Sequence, residues 1–283
     1  MFGLLNIYKP KGKTSHDVVA VLRRITKIKQ IGHTGTLDPF AEGVLPVCIG
    51  KATRLIEYLD DDKAYIGTIQ LGKSTTTYDI EGEAVNSSDK TVSINEIENI
   101  LPNFRGDIQQ MPPIYSAIKV NGKKLYEYAR KGEEVKIEPR NVSIFKLEIV
   151  NFDEKEQKLK LYIECSKGTY IRSIAHDIGE TLGCYGHLTK LVRTKAGKFR
   201  VENSIKLDSI ETIEQAKTNL ISPLECLNLP VYEVSESEKE KVSHGMKINA
   251  NLNDGKAILT YQNNLIAVVE VKQNQAKTLK VFI

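Results

Sequence analysis

The chain has 283 residues, of which 41% are apolar, and its 40 Lys and Arg against 36 Asp and Glu give a net charge of +4 and a pI near 8.6. This length predicts one large domain or a large and a small one, and the mild basicity permits a nucleic-acid partner without requiring one. We expect no membrane span, because no apolar run of about 18 residues is present. We also expect no signal peptide, because the N-terminal MFGLLNIY is too short for its apolar region and the basic residues follow rather than precede it.

The four cysteines are scattered, without the C-x-x-C spacing that is typical of zinc and redox sites. They are therefore expected to be reduced core or surface thiols of a cytoplasmic protein, with no zinc site. They are Cys48, Cys165, Cys184 and Cys226.

The first 30 residues predict a strand and then a helix. Residues 4–8 form a short apolar run that ends at Lys9 and Pro10, which predicts a strand followed by a turn with a solvated lysine. Thr14 and Asp17 have the spacing of a capping box, which predicts a helix start. Apolar residues then recur at helical spacing along one face; they are Val18, Val21, Leu22 and Ile25.

Residues 31–50, IGHTGTLDPFAEGVLPVCIG, hold four glycines, two prolines and a single histidine. Turn-forming residues precede Asp38, which predicts a loop, and residues 44–49 predict a short buried strand. A carboxylate on a glycine-rich loop beside a buried strand is a candidate nucleophile or base, because loops on rigid scaffolds often carry chemistry. The alternative is a structural turn capped by Asp38, which composition alone favours.

Residues 52–59 predict a short helix, and residues 65–71 alternate as a half-buried strand does. Residues 67–74, GTIQLGKS, match the Walker A pattern letter for letter. A phosphate loop needs a glycine-rich turn followed by a helix N-terminus, whereas this segment is strand-like and runs into β-branched residues. A P-loop nucleotide hydrolase that uses Lys73 is therefore an alternative that this pattern does not favour.

Residues 111–135 interleave cations with tyrosines, after a helix that Ser93 and Glu96 are predicted to cap. Such a mixture suits an RNA surface, because cations neutralise phosphates and aromatic rings stack on bases. The alternative is a hairpin with an Asn121-Gly122 turn and an ordinary charged helix, and the residues alone favour neither interpretation. The candidate RNA-binding residues are Lys119, Lys123, Lys124, Tyr126 and Arg130.

Residues 142–152 and 159–165 predict paired strands, followed by a helix from Thr169 to a C-cap at Gly183. Arg172 falls in the first turn, where helices prefer anions, so it needs a carboxylate partner. A surface pairing with Glu164 or Asp177 is one alternative. Residues 207–220 predict a helix, residues 222–224 a linker, and residues 229–283 a small β domain.

Several of these segments resemble motifs of the TruB family of tRNA pseudouridine synthases. The similarity lies in G-H-T-G-x-L-D-P at residues 32–39, P-P-x-Y-S-A-x-K at 112–119, G-T-Y-I-R-S at 168–173 and H-L-x-x-L-x-R-T at 187–194. It covers residues 4 to about 201 well and extends more weakly to a PUA-like RNA-binding domain near the C-terminus.

The resemblance implies roles for individual residues. Asp38 would be the nucleophile, Tyr65 the active-site tyrosine, and Arg172 the partner of Asp38. Leu191 would line the base pocket. The alternative is an ordinary core leucine, and sequence does not distinguish the two. Three further residues would lie near the pocket or at its edge: Lys9, His33 and Tyr170.

The implied activity is isomerisation of uridine to pseudouridine, usually at position 55 in the TΨC loop of tRNA, with no cofactor, metal or nucleotide. Because hairpin signals outnumber βαβ alternation, we expect a mixed α+β fold with a mostly antiparallel sheet flanked by helices. Expected domains are 1–228, with an RNA-gripping insertion at about 105–150, and 229–283. A monomer suffices. Whether Asp38 attacks C6 or C1′ stays open, and a non-catalytic tRNA-binding or folding protein is the alternative function.

Overall fold

The structure, a computed structural model, describes residues 1–283 and is built around a ten-stranded sheet and a separate five-stranded sheet. The strands are β1 (Gly3–Lys9), β2 (Ile31–His33), β3 (Glu42–Ile49), β4 (Lys63–Leu71), β5 (Lys73–Thr75), β6 (Ala84–Ser87), β7 (Gly106–Gln110), β8 (Lys119–Val120), β9 (Lys123–Lys124), β10 (Arg140–Asp153), β11 (Lys158–Cys165), β12 (Gly186–Ala196), β13 (Phe199–Arg200), β14 (Ile205–Lys206), β15 (Val231–Glu233), β16 (Ile248–Asn249), β17 (Gly255–Tyr261), β18 (Asn264–Lys272) and β19 (Gln275–Val281).

The helices are short and are distributed along the whole chain. The α-helices are α1 (Ser15–Thr26), α2 (Ile94–Ile100), α3 (Leu125–Lys131), α4 (Ile171–Leu182), α5 (Ile213–Thr218), α6 (Pro223–Cys226) and α7 (Glu236–Ser243), and 3-10 helices span Gly50–Tyr58, Leu101–Phe104, Val201–Asn203 and Leu207–Ser209. No helix is both long enough and apolar enough to cross a membrane.

The large sheet runs in the order β14-β1-β3-β12-β4-β11-β10-β7, with β2 added to β3 and β13 to β12. Only β1–β14 and β3–β12 are parallel pairs, and every other pairing is antiparallel. The predicted mixed α+β fold with a mostly antiparallel sheet is therefore confirmed. Strand β12, inserted between β3 and β4, brings elements distant in sequence to the centre of the sheet.

Local sequence signals fix several elements as predicted. Thr14 caps α1 through a complete capping box with Asp17, and Ser93 does the same for α2 with Glu96. Gly183 ends α4 in the left-handed conformation, at φ +68°, which glycine adopts without steric cost. Because these signals act within one turn of the chain, sequence suffices to place them.

Other local predictions differ from the structure in the type or the extent of the element. Residues 31–33, expected as loop, form β2 because they pair with the far end of β3. The helix expected at 52–59 is a 3-10 helix over Gly50–Tyr58. Residues 222–226, expected to begin a linker, contain α6 under a Ser222 cap, and residues 207–220 form two short helices instead of one.

The Walker A match lies on strands. Residues 67–71 belong to the middle of the sheet as part of β4, Gly72 turns the chain, and residues 73–75 form β5 of a hairpin. A phosphate loop requires a helix N-terminus at this point. The P-loop alternative is therefore wrong.

Residues 111–139 leave the large sheet between two strands that pair directly, because β7 and β10 are antiparallel neighbours. The excursion contains the predicted hairpin, with Asn121 and Gly122 at φ +52° and +81°, and then α3. It is shorter than the expected insertion of about 105–150, whose two ends are strands of the sheet. We call residues 111–139 the insertion.

The five-stranded sheet, in the order β15-β17-β18-β19-β16, lies entirely within the segment predicted as a small β domain. Its residues Ile258, Val268 and Phe282 share a buried core with Leu4 and Leu55 of the large domain. Burial of this apolar surface fixes the small sheet against the strands that lead to the Asp38 loop.

Candidate active site

A cavity of about 640 Å³ opens beside Asp38. Six segments build its wall: the loop at residues 34–39, strand β4, the turn after β5, the insertion, the N-terminus of α4 and strand β12 through Leu191. Because these segments span more than 130 residues of sequence, the cavity exists only once the sheet has formed. A larger cavity of about 810 Å³ lies elsewhere, between α1 and the segment around Leu207.

The main chain on either side of Asp38 is held in place. The buried hydroxyl of Ser15 accepts a hydrogen bond from Leu37 N at 2.8 Å and donates one to Leu37 O at 3.2 Å. Gly12 N donates to Pro39 O at 2.8 Å. These contacts come from the start of α1 and the turn before it, so the N-terminal segment positions the Asp38 loop.

Arg172 reaches Asp38 with two nitrogens. Its Nε lies 3.0 Å from Oδ2 and its Nη2 lies 3.2 Å from Oδ1 of that carboxylate. Arg172 also donates to the main-chain oxygens of Thr77 at 3.1 Å and Tyr115 at 3.0 Å. With 6% of its side chain exposed, it is not the surface arginine paired with Glu164 or Asp177 that was the alternative.

Asp79 is a second carboxylate partner of the same guanidinium. Its Oδ2 lies 3.3 Å from Arg172 Nη1, and only 4% of its side chain is exposed. Asp79 Oδ1 accepts hydrogen bonds from the Thr77 hydroxyl at 2.5 Å and from Glu81 N at 3.0 Å, which fixes the turn. One buried cation is therefore shared by two carboxylates.

This sharing affects the pKa of Asp38. Burial raises the pKa above its ordinary value, the Arg172 charge opposes the rise, and the charge of Asp79 adds to it. The net direction is upward, because burial outweighs the opposing charge of Arg172. Arg172 also pairs with Asp79, whose negative charge adds to the rise.

Tyr65 lies on β4, 6% exposed, and faces the cavity with its ring. Burial raises its pKa to about 12, so the phenol is neutral at physiological pH. Leu191, on the neighbouring β12, is 5% exposed and also lines the cavity. It belongs to the main core cluster as well, so this leucine packs in the core and also borders the cavity.

Tyr170 is the N-cap residue of α4 and lines the cavity. Gln110, 2% exposed, fixes it by accepting from Tyr170 N at 2.8 Å and donating to Tyr170 O at 3.0 Å. Since Arg172 follows two residues later, this clamp also orients the guanidinium. Neither Gln110 nor its clamp is visible in the sequence.

Lys9 and His33 do not line the cavity. Lys9 is fully buried, so the solvated turn lysine expected from sequence is wrong. Its ammonium donates to Lys13 O at 2.6 Å, Pro10 O at 3.0 Å and Pro39 O at 3.4 Å, and burial lowers its pKa to about 8. His33 is half-buried on β2, and burial together with the charge of Arg193 lowers its pKa.

The insertion brings Tyr126 and Arg130 to the cavity wall. The Arg130 guanidinium lies 5.3 Å from the Tyr126 ring centre, and Lys124 Nζ lies 5.4 Å from it, which are cation–π distances. Lys123, which pairs with Glu133 at 2.5 Å, and the exposed Lys119 lie outside the wall. Of the five RNA-binding candidates, two therefore reach the cavity.

Two protein-family models match consecutive parts of the chain. A family model described as TruB family pseudouridylate synthase (N terminal domain) matches residues 23–171, and one described as tRNA pseudouridylate synthase B C-terminal domain matches residues 172–231. Most of the small sheet lies beyond both matches.

The relatives named tRNA pseudouridine synthase B include a protein of Geobacillus thermodenitrificans (strain NG80-2), which is 43% identical with full coverage of both chains. The protein of that name from Staphylococcus aureus (strain JH9) is 42% identical over 99% of each chain. Among solved structures, the archaeal box H/ACA sRNP Nop10-Cbf5 complex contains a chain that is 25% identical, with a TM-score of 0.71 over 100% of this chain and 86% of that one.

Proposed function

The chain belongs to the TruB family of pseudouridylate synthases, and we propose that it converts a uridine of tRNA, at position 55 in the TΨC loop, to pseudouridine. The observation that carries this proposal is the two-nitrogen contact of Arg172 with Asp38 at the base of a cavity. Tyr65 and Leu191 line the same cavity. The relatives that cover the whole chain are named for tRNA, which supports that substrate.

The reaction breaks the N1–C1′ glycosidic bond and joins C1′ to C5 of the same base; the C5 hydrogen leaves as a proton, and N1 gains a proton. It is an isomerisation, so it needs no second substrate. Asp38 supplies a carboxylate nucleophile, which either C6 of the base or C1′ of the ribose accepts. Arg172 Nη2 donates a hydrogen bond to Oδ1 of this carboxylate, and Arg172 Nε lies within ion-pair distance of Oδ2.

The target base must leave the loop stack to reach this carboxylate, which costs a few kcal/mol. The ring of Tyr65 and the side chain of Leu191 offer the flipped uracil two apolar surfaces, and Tyr170 a third at the rim. These contacts offset part of the unstacking cost. His33 lies outside the cavity, and we propose that it contacts the RNA that the base has left.

The insertion and the small sheet are proposed as the RNA-holding parts. Tyr126 and Arg130 extend the cavity wall toward solvent, where a phosphate and a neighbouring base of a stem-loop would lie. The small sheet, residues 229–283, is proposed as a PUA-like RNA-binding domain, and a monomer in the cytoplasm suffices for this activity. Its shared core with the large domain would keep both RNA contacts in one rigid frame.

The test is release of tritium from C5-labelled uridine in an unmodified tRNA transcript, without added nucleotide or metal. We expect release by the wild type and by Asp153→Asn, a control that changes a carboxylate on the β10–β11 turn, but not by Asp38→Asn. A transcript with cytidine at position 55 tests the position. Absence of release by the wild type, with the transcript still bound, would reject the proposal in favour of a non-catalytic RNA-binding protein.

A further inference from the structure

Arg193 is a buried cation without an ion-pair partner. It is 1% exposed and is among the largest fully buried side chains of the protein. None of the ion pairs in the structure includes it. A guanidinium stays protonated in proteins, and an unpaired buried charge is costly. Other interactions must therefore offset the cost of burying the charge of Arg193.

All three hydrogen bonds of Arg193 go to main-chain oxygens around the Asp38 loop. Nη2 donates to Gly35 O at 3.1 Å and Nη1 to Thr36 O at 3.3 Å, just before Asp38. Nε donates to Val44 O at 2.7 Å, where the chain has entered β3. The planar guanidinium thus ties the two ends of the Asp38 loop to each other, which a flexible ammonium cannot do with the same geometry.

The same residue is the cross-strand neighbour of Tyr65. On β12, Arg193 is registered opposite Tyr65 of β4 on one side and opposite Gly43 of β3 on the other. Gly43 has φ +108°, and a Cβ there would lie 2.3 Å from Arg193 O, so only glycine permits this approach. Arg193 consequently stands at the junction of the Tyr65 strand and the strand that ends the Asp38 loop.

We propose that Arg193 is a positioning residue for the pseudouridine synthase reaction: it sets the Asp38 loop against Tyr65 and holds a positive charge beside this tyrosine, its cross-strand neighbour. The inference rests on the proposed function and adds to it a residue outside the cavity. The positive charge of Arg193 acts to lower the pKa of Tyr65, and so opposes the rise that burial causes.

The test compares two variants. Arg193→Met removes both the positive charge and the planar set of guanidinium donors, whereas Arg193→Lys keeps the charge. Arg200→Met, an exposed arginine on β13, is the matched control. Single-turnover tritium release, tRNA binding and urea unfolding are measured on each. We expect Arg193→Met to slow release by at least about tenfold with tRNA affinity unchanged, Arg193→Lys to recover part of the rate, and Arg200→Met to match the wild type.

A second measurement does not depend on activity. In protein labelled with ¹³C at tyrosine Cζ, the Tyr65 resonance is assigned by its loss in Tyr65→Phe. It should move in Arg193→Met, which alters the charge and the donors beside Tyr65, and in Arg193→Lys, which alters the donors, but not in Arg200→Met, which alters neither.

A folded Arg193→Met protein with wild-type rate, or with an unmoved Tyr65 resonance, would overturn the inference. If that variant does not fold, Arg193→Lys decides in the same way: a wild-type rate and an unmoved resonance overturn it. Failure of the proposed function looks different, because the wild type itself would then release no tritium.

Discussion

Arg172 and Asp79 form an ion pair of 3.3 Å on the edge of the guanidinium that Asp38 leaves free. Both side chains are more than nine-tenths buried. The arginine is thus held from two sides, by the carboxylate of the turn after β5 and by the carboxylate of the cavity. The turn is itself fixed by the hydrogen bonds of Asp79 with Thr77 and Glu81. Asp79 therefore holds Arg172 in a fixed position, and Arg172 in turn holds Asp38.

Asp79→Asn should lower the pKa of Asp38. The negative charge of Asp79 contributes to the upward shift of that pKa, and asparagine removes the charge while it keeps the shape. Asp38 acts as an anion, so activity is lost as pH falls through its pKa. The acid side of the profile of single-turnover rate against pH should therefore move to lower pH in Asp79→Asn, even where the rate at neutral pH falls because Arg172 is less well held.

The control for this profile is Asp177→Asn, which changes a carboxylate of α4 that does not line the cavity. Its acid limb should coincide with that of the wild type. A limb that stays in place or moves to higher pH in Asp79→Asn would show that the charge of Asp79 does not act on the group that titrates.

Arg172→Lys should be severe although the charge is kept. Lysine cannot reach both oxygens of Asp38 and also Asp79, because its single ammonium lacks the planar fork. A lost hydrogen bond between charged groups is worth about 1.5–3 kcal/mol, which corresponds to a rate loss of roughly ten- to hundredfold if it acts in the transition state. Single-turnover tritium release measures it, and a rate within a factor of about two of the wild type would remove Arg172 from the site.

Sequence was sufficient for the elements that local contacts determine. The capping box at Thr14, the turn at Asn121 and the C-cap at Gly183 all follow from interactions within a few residues. Pairing between distant segments overrides local preference at residues 31–33, where turn-forming residues became a strand. Sequence periodicity also fails to predict α7, because its eight mostly charged residues lack a clear apolar face.

The site shows the same division. Asp38 and Arg172 are 134 residues apart, and only the family resemblance suggested that they meet. The pairing of Asp79 with a buried guanidinium depends on where the β5–β6 hairpin packs, which no local pattern shows. Arg193 gave no signal beyond its place in the motif, because its partners are main-chain oxygens, which every residue carries.

Phe282→Ala should lower the free energy of unfolding and the affinity for RNA, without a direct effect on the rate of the chemical step. The Phe282 ring is 7% exposed, stacks on Phe2 at 5.4 Å and lies under Arg54 at 5.3 Å, at the contact between the two sheets. Truncation of a buried phenylalanine costs about 3–5 kcal/mol. Urea unfolding should show this loss, while the rate at saturating tRNA should stay near that of the wild type. A rate loss at saturation would place the small sheet in the chemical step.

Arg130→Ala should weaken tRNA binding through a lost phosphate contact, whereas Lys131→Ala should not. Arg130 lines the cavity beside Tyr126, while the adjacent Lys131, with 66% of its side chain exposed, points away from it and lies 4.0 Å from Glu133. Each lost phosphate contact reduces the slope of log affinity against log salt concentration by about one. Binding measured at several salt concentrations should show this change for Arg130→Ala alone, with the single-turnover rate at saturation unaffected in both variants. Equal slopes in the two variants would mean that the cavity-facing end of the insertion does not contact the RNA backbone through Arg130.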